Sequence, residues 1–496
     1  MAIIGYEYLR ASLGLSAFAL PRPAQVRPVT RVEPTPTYLA VPASVAPASN
    51  APLDHILFAL KHEGVNLQVL AEALPMLQAE SLLHEIRKTP NGGYVRMACH
   101  LWEAFTGSVL EGAPEVGGAA VDLFDPARYV TGPARRNARW RVNFNGLGSL
   151  RYCATVERTP AIQAALAVDV LGRARAFFKD LGPGVLDRTL AWAYLHETQD
   201  SFAIERETAS EDKSRAFIAL LHQAHDRRPL DEAYLVELQN AAINNPLDRA
   251  ATYRPQQNWL QGPGRGAAAI TYLPPPPAVV AELMAELTDF ANSSAGFIDP
   301  LVAAAVTSFG FVFVHPFMDG NGRLSRFLFH HALCQSGQLP NGLVLPVSVV
   351  MKKHEAAYLS VLQSYSRAAR ERWRVQWLDS DDYQFTFVGD AHHSIYRYWD
   401  ATACVEFGFR MAEQALDEEL RRETAFLVRY DAILRRVNGQ VDIRGSDLST
   451  LVVSCMDNDG HLSKRRRDQF RLTVPERAFD MIEAAVRDTA PAPTIS

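Results

Sequence analysis

Cysteine is scarce in this chain and follows no pattern. Five occur among 496 residues (Cys99, Cys153, Cys334, Cys404 and Cys455), and no Cys-x-x-Cys pair is present. That spacing excludes a disulfide framework or a thiolate zinc ribbon and predicts free thiols in a reducing cytoplasm. Long apolar runs are missing as well. No segment approaches the roughly 20 apolar residues that a membrane-spanning helix needs, so no membrane partner is expected. The opening stretch MAIIGYEYLRASLGLSAFALPRPA is broken by Glu7 and Arg10 and has no basic lead, which argues against a signal peptide. Nor is there an excess of charge of one sign. A net charge of -5 and a pI near 6.3 argue against coating nucleic acid or anionic lipid through overall charge. No internal repeat is visible.

What is present is a soluble globular composition, 48% hydrophobic and 21% charged. The length predicts about three domains around a central core. Residues 1–50 read as an extended N-terminal segment whose Pro- and Ala-rich part starts at Pro21. Residues 51–160 read as an N-terminal helical domain. Three- and four-residue apolar spacing runs from Leu53 to about Phe105, with a break at Gly64 and Asn66, before a less regular stretch. The cluster Arg135, Arg136, Arg139 and Arg141 reads as a solvated face, with partner or phosphate binding as the alternative. Residues 161–380 read as the core, and 381–496 as a C-terminal, mostly helical domain. An acidic patch lies near 379–382, and a basic run, Lys464 to Arg467, lies near the end.

Within the core, amphipathic helices fill 161–245 and stop at Asn-Asn-Pro, 244–246. Then QNWLQ, GPGRG and AAAITYL predict a β-hairpin with a glycine turn over about 257–273. Pro274 to Pro277 close the hairpin and open a helix over about 278–291, with Val280, Leu283, Met284, Leu287 and Phe290 inward. The next helix, Asp299 to about Val314, is apolar on nearly every side and should be the buried centre of the domain.

Directly after it comes HPFMDGNGRLSR, His315 to Arg326, which leads into an amphipathic helix bearing Leu324, Phe327 and Leu328, with Gly337 as its terminator. A turn, a metal site and a phosphate loop are all compatible with its composition. Its position at a helix start favours the last. Backbone N–H groups there have no intrahelical partner, and the helix dipole favours an anion. Gly320 and Gly322 let an anion approach that backbone. Arg323 and Arg326, three residues apart, can reach one ligand and suit phosphate oxygens. Asp319 has the chemistry of a Mg²⁺ ligand beside phosphates. His315 has a pKa suited to a general base. The pairs His330–His331 and His392–His393 lack a second cluster at ligand spacing and read as packing or surface residues.

The run His-Pro-Phe-x-Asp-Gly-Asn-Gly-Arg-x-x-Arg resembles the full signature of the Fic family without a mismatch. The resemblance implies a mainly α fold: a Fic-type helical core with a small β-hairpin flap, plus N-terminal and C-terminal mostly helical extensions. It covers roughly residues 185–380. It implies transfer of AMP from ATP, with Mg²⁺, to a Tyr, Ser or Thr hydroxyl of a target protein. His315 would be the base and Asp319 the metal ligand. Gly320, Asn321 and Gly322 would hold the α-phosphate, and Arg323 and Arg326 the rest of the triphosphate. The hairpin at 257–273 resembles the family's flap, which pins the target segment.

Upstream, Ser201-Phe-Ala-Ile-Glu205 resembles the family's N-terminal inhibitory helix, whose glutamate bonds the second signature arginine. The match departs from the family at Arg206, where the family has Gly or Asn. The resemblance thus implies autoinhibition through a Glu205–Arg326 pair. Another class of function stays open, a regulatory, DNA-binding or partner-binding protein built on a Fic core, as do Fic enzymes that remove AMP or transfer phosphocholine or phosphate. A second copy of the chain and nucleic acid also stay open as partners. The intact His315 favours an enzyme, since a binding module needs no base.

Overall fold

A computed structural model describes residues 2–243, 249–379, 382–441 and 443–489. The predicted stop at 244–246, and positions 380–381 of the acidic patch, lie outside the described residues. The fold is mainly α, with small two- and three-stranded sheets at its margins.

The central helix, Pro300–Val314, shows why this sequence folds from the inside out. Asp299 caps it by accepting from the N–H groups of Leu301 and Val302 (2.9 and 3.2 Å), and Pro300 fits the first turn, where no N–H is needed. Every residue of it except Val312 is buried. The helix ends because His315 turns left-handed, with φ +52°. The signature helix, Asn321–Gln335, follows after a six-residue loop and packs against it, with Leu324, Phe327 and Leu328 in the shared core. A third helix, Pro183–Ile204, crosses the signature helix and ends at Glu205.

The predicted flap is present as an antiparallel pair, Leu260–Gln261 with Ile270–Tyr272, in the register Ile270↔Gln261 and Tyr272↔Leu260. The helix after it spans Pro277–Ser293. A second hairpin, Trp373–Asp379 paired with Asp382–Phe387, lies where helix is expected beyond the core. Its period-two alternation puts Trp373, Val375, Tyr383, Phe385 and Phe387 on one face, packed with Trp259, Ile270 and Leu273 at the flap.

The N-terminal segment begins with a helix, Gly5–Ser12, before turning extended. It is tied down by Tyr6, whose hydroxyl donates to the Gly64 carbonyl (2.7 Å), and by Ser16 N–H to Glu72 (2.7 Å). Tyr6, Leu9, Phe58, Trp102, Phe124 and Trp140 share its core. Three arginines of the 135–141 cluster donate to loop carbonyls: Arg135 to Gly148, Arg139 to Leu110 and Arg141 to Gly118 (3.0, 2.6 and 2.6 Å). The expected solvated face is therefore also a set of loop braces.

Residues 395–420 return to the large core that contains the central helix. Tyr398–Asp400 pair in parallel with Cys153–Thr155 on the way. A smaller core follows over 433–486. Among the described residues no helix is long and apolar enough to cross a membrane.

Candidate active site

The end of the central helix, the loop after it and the first turns of the signature helix bring the predicted residues together. His315 sits at the helix end with 8% of its surface exposed. Its Nδ1 lies 3.2 Å from the Val312 carbonyl. A carbonyl can only accept, so Nδ1 carries the proton and Nε2 keeps its lone pair. Burial lowers the His315 pKa to about 4, and the nearby Arg254 charge adds to the effect. The imidazole is therefore neutral and basic at Nε2 near neutral pH.

Asn321 is more occupied than the sequence suggests. Its Oδ1 accepts from the Phe317 N–H (3.0 Å), and its Nδ2 donates to the Phe317 carbonyl (2.8 Å). The side chain closes the loop on itself and keeps one N–H free of that clip. Gly320 caps the signature helix at φ +83°, the left-handed region where a side chain is costly. Asp319 keeps nearly half of its side chain exposed and contacts Arg323 at 3.3 Å. Among the described residues no three His, Cys, Asp or Glu side chains converge on one point. A divalent ion held by Asp319 would thus take its other ligands from phosphate and water, as Mg²⁺ commonly does.

The two arginines are buried but differently held. Arg326, 1% exposed, gives Nε to Ser201 Oγ (2.7 Å), Nη2 to the Ser201 carbonyl (2.7 Å) and Nη1 to Glu205 Oε1 (3.0 Å). Arg323 makes only long contacts, to Glu207 (3.4 Å), the Ala242 carbonyl (3.3 Å) and Asp319, and its Nε has no partner. Contacts of that length are weak, so a better acceptor displaces them at little cost, while the guanidinium also lies over the Phe202 ring, 5.1 Å from its centroid.

The Glu205 carboxylate lies against the first turn of the signature helix and on Arg326. A Cβ on Gly322 would stand 1.9 Å from Glu205 Oε1. Glycine at 322 is what admits an acid against the first turn of the signature helix. The departure noted at Arg206 falls on a left-handed turn, with φ +61°. Gly or Asn would hold this left-handed turn with less strain. Arg206→Gly is expected to stabilise the fold by up to about 1 kcal/mol, read as a higher urea midpoint at constant slope.

Sequence reasoning missed a second tie between the same two helices. Glu197, fully buried, accepts from Ser348 N–H (2.7 Å), Ser348 Oγ (2.5 Å) and His330 Nε2 (2.8 Å). His330 lies one turn beyond Arg326, as Glu197 lies one turn before Ser201. The i, i+4 spacing was visible in each helix, but the pairing between helices was not. Ser348→Ala leaves a buried carboxylate short of a donor and should cost about 1–3 kcal/mol in urea unfolding. Arg254, Asn258 and Tyr272, which donate to carbonyls around His315, also went unpredicted, because a side chain that bonds to backbone leaves no partner to find in sequence.

A left-handed histidine, a glycine-lined helix start and two buried arginines thus stand together at one helix junction. Residues 229–333 match the Fic/DOC family model. Protein adenylyltransferase fic-1 of Caenorhabditis elegans is 29% identical over 147 residues, 29% of this chain and 26% of that protein. Protein adenylyltransferase Fic of Aedes aegypti is 33% identical over 93 residues, 18% of this chain and 17% of that protein. The chain thus spans about a quarter or less of these curated relatives. Among solved structures, a Fic family protein from Desulfovibrio desulfuricans is similar with a TM-score of 0.39 at 22% identity, over 63% of this chain and 87% of that one. A fragment of C. elegans Fic-1 gives 0.35 at 18% identity, over 76% and 92%.

Proposed function

We propose that this protein is an adenylyltransferase that moves AMP from ATP to a Tyr, Ser or Thr hydroxyl of a target protein and restrains itself through Glu205. One observation carries the reading. The Glu205 carboxylate lies against the first turn of the signature helix and on Arg326, so this helix start accepts an anion. The domain's relatives named protein adenylyltransferase support the direction of the chemistry.

In this reading, Nε2 of His315 takes the proton of the target hydroxyl. The oxygen forms a bond to the α-phosphorus, the bond to the bridging oxygen breaks, and pyrophosphate leaves. The N–H groups of the glycine-lined turn and the spare N–H of Asn321 stabilise charge on the α-phosphate. Arg323 and Arg326 hold the remaining phosphates. Asp319 would hold Mg²⁺, which supplies charge neutralisation to the triphosphate when bound. The flap at 260–272 pins the target segment by strand addition.

Incubation with ATP labelled at the α-phosphate and Mg²⁺ tests the reading, with Glu205→Gly as the released form. Label on protein supports it. Label that transfers only from the γ-phosphate replaces it with a kinase-like activity.

A further inference from the structure

Three carbonyls at alternate positions around His315 each accept from a residue in or beside the flap. The Tyr272 hydroxyl donates to Phe313, Arg254 Nε to His315 (2.8 Å) and Asn258 Nδ2 to Phe317 (2.9 Å). The Arg254 backbone N–H adds a bond to the Pro316 carbonyl (2.8 Å). The rest of the Arg254 fork is spent on the flap itself, Nη1 on the Gln256 carbonyl (3.0 Å) and Nη2 on the Pro275 carbonyl (2.5 Å). Gln256 stands just before the first flap strand, and Pro275 just after the second.

Arg254 is 3% exposed, and all of its side-chain bonds go to carbonyls, none to a carboxylate. Burying a cation without a counter-charge is expensive. A neutral residue would pack there at less cost. What a guanidinium adds is a rigid planar fork that fixes several acceptors at set angles. Here the acceptors belong to both feet of the flap and to the carbonyl of the histidine.

We propose that Arg254, with Tyr272 and Asn258, is a positioning device that locks the flap to the His315 turn as one body. It sets the distance between a hydroxyl presented on the flap and Nε2. The inference rests on the proposed function for its consequence, but the mechanical link can be read without it. His315 is held in a left-handed conformation that non-glycine residues seldom adopt, so its carbonyl needs fixed partners to stay there. The groups assigned to ATP follow from Asp319 onward in the chain, and none of the Arg254 hydrogen bonds goes to them. Loosening the fork should therefore disturb transfer and spare nucleotide binding.

The experiment uses the full chain in the Glu205→Gly background, with Arg254→Lys and Tyr272→Phe. Lysine keeps the charge but loses the fork, and phenylalanine removes one hydroxyl. Three readouts are taken: self-modification rate at saturating ATP, affinity for a non-hydrolysable ATP analogue, and backbone hydrogen exchange. Arg254→Lys is expected to lower the rate by roughly 10- to 100-fold, since about 1 Å of misplacement has that effect. Analogue affinity should stay within about twofold, and exchange should rise together at residues 259–273 and 317–319. Tyr272→Phe, the safer variant for folding, should show the same pattern at smaller size. A rate within twofold of the parent overturns the inference, as does a loss of rate matched by an equal loss of analogue affinity. If the Glu205→Gly parent transfers no label, the proposed function fails and exchange decides alone. A joint rise at both segments supports the link, and a rise confined to the flap overturns it.

Discussion

His315→Ala, in a Glu205→Gly protein, should lower AMP transfer by about 10²- to 10⁴-fold, the usual worth of a positioned general base. The fold should tolerate the change, because the ring makes a single 3.2 Å contact to backbone. Nucleotide affinity should hold, since the phosphates are assigned to groups from Asp319 onward. Label transfer undiminished in His315→Ala would remove His315 from the chemistry. The pH dependence is a second check. A histidine at its ordinary value would lose half its basic form near pH 6.5. Burial brings His315 down to about 4, so the base stays neutral across pH 5 to 8. The acid limb of the transfer rate should therefore fall near pH 4 to 5, provided the protein remains folded. Stability has the matching sign. Between pH 6.5 and 4 the unfolded chain binds a proton at this position that the folded chain refuses, so His315 costs stability as pH falls through that window. His315→Ala should lose part of that acid sensitivity in urea unfolding at pH 5 against pH 7.

The contrast between what was legible in the sequence and what was not follows from where the partners lie. His315 to Arg326 could be read because one loop and one helix start carry the whole set in order, each residue type matched to a chemical task. The central helix was legible from its apolar faces, and the flap from its glycine turn between strand-like runs. Ser201 and Glu205 were legible as a spacing, and the structure places both on Arg326. Arg254 was not legible, since its partners are carbonyls and every residue has one. The Glu197–His330–Ser348 tie was hidden for another reason. Its members are 133 and 151 residues from Glu197 in the chain and meet only after three helices pack. The second hairpin carried a fair signal in Trp373, Val375, Tyr383, Phe385 and Phe387. A helical neighbourhood and an acidic stretch of sequence masked it until Trp259 supplied the surface it packs on.

Glu205→Gly should raise transfer, and Arg326 sets the size of the effect. A hydrogen bond to a charged group is worth about 1.5–3 kcal/mol net, or roughly 10- to 100-fold in an equilibrium. Arg326 is almost fully buried, but the Glu205 side chain is 38% exposed, so solvent screens the pair and the low end applies. A gain of about tenfold in self-modification, with tighter ATP binding, is the expected result. The two Ser201 bonds to Arg326 survive the substitution and keep the guanidinium in place, so the gain comes from vacating the anion seat and releasing Nη1 alone. Glu205→Gln separates these contributions. It keeps the shape and removes the charge, so it should lie between the parent and Glu205→Gly. Salt should matter in the same way, with the parent gaining more from added salt than Glu205→Gly does, because only the parent has a half-exposed ion pair to screen. Equal transfer by all three proteins at every salt concentration would mean that Glu205 is a helix end and no brake.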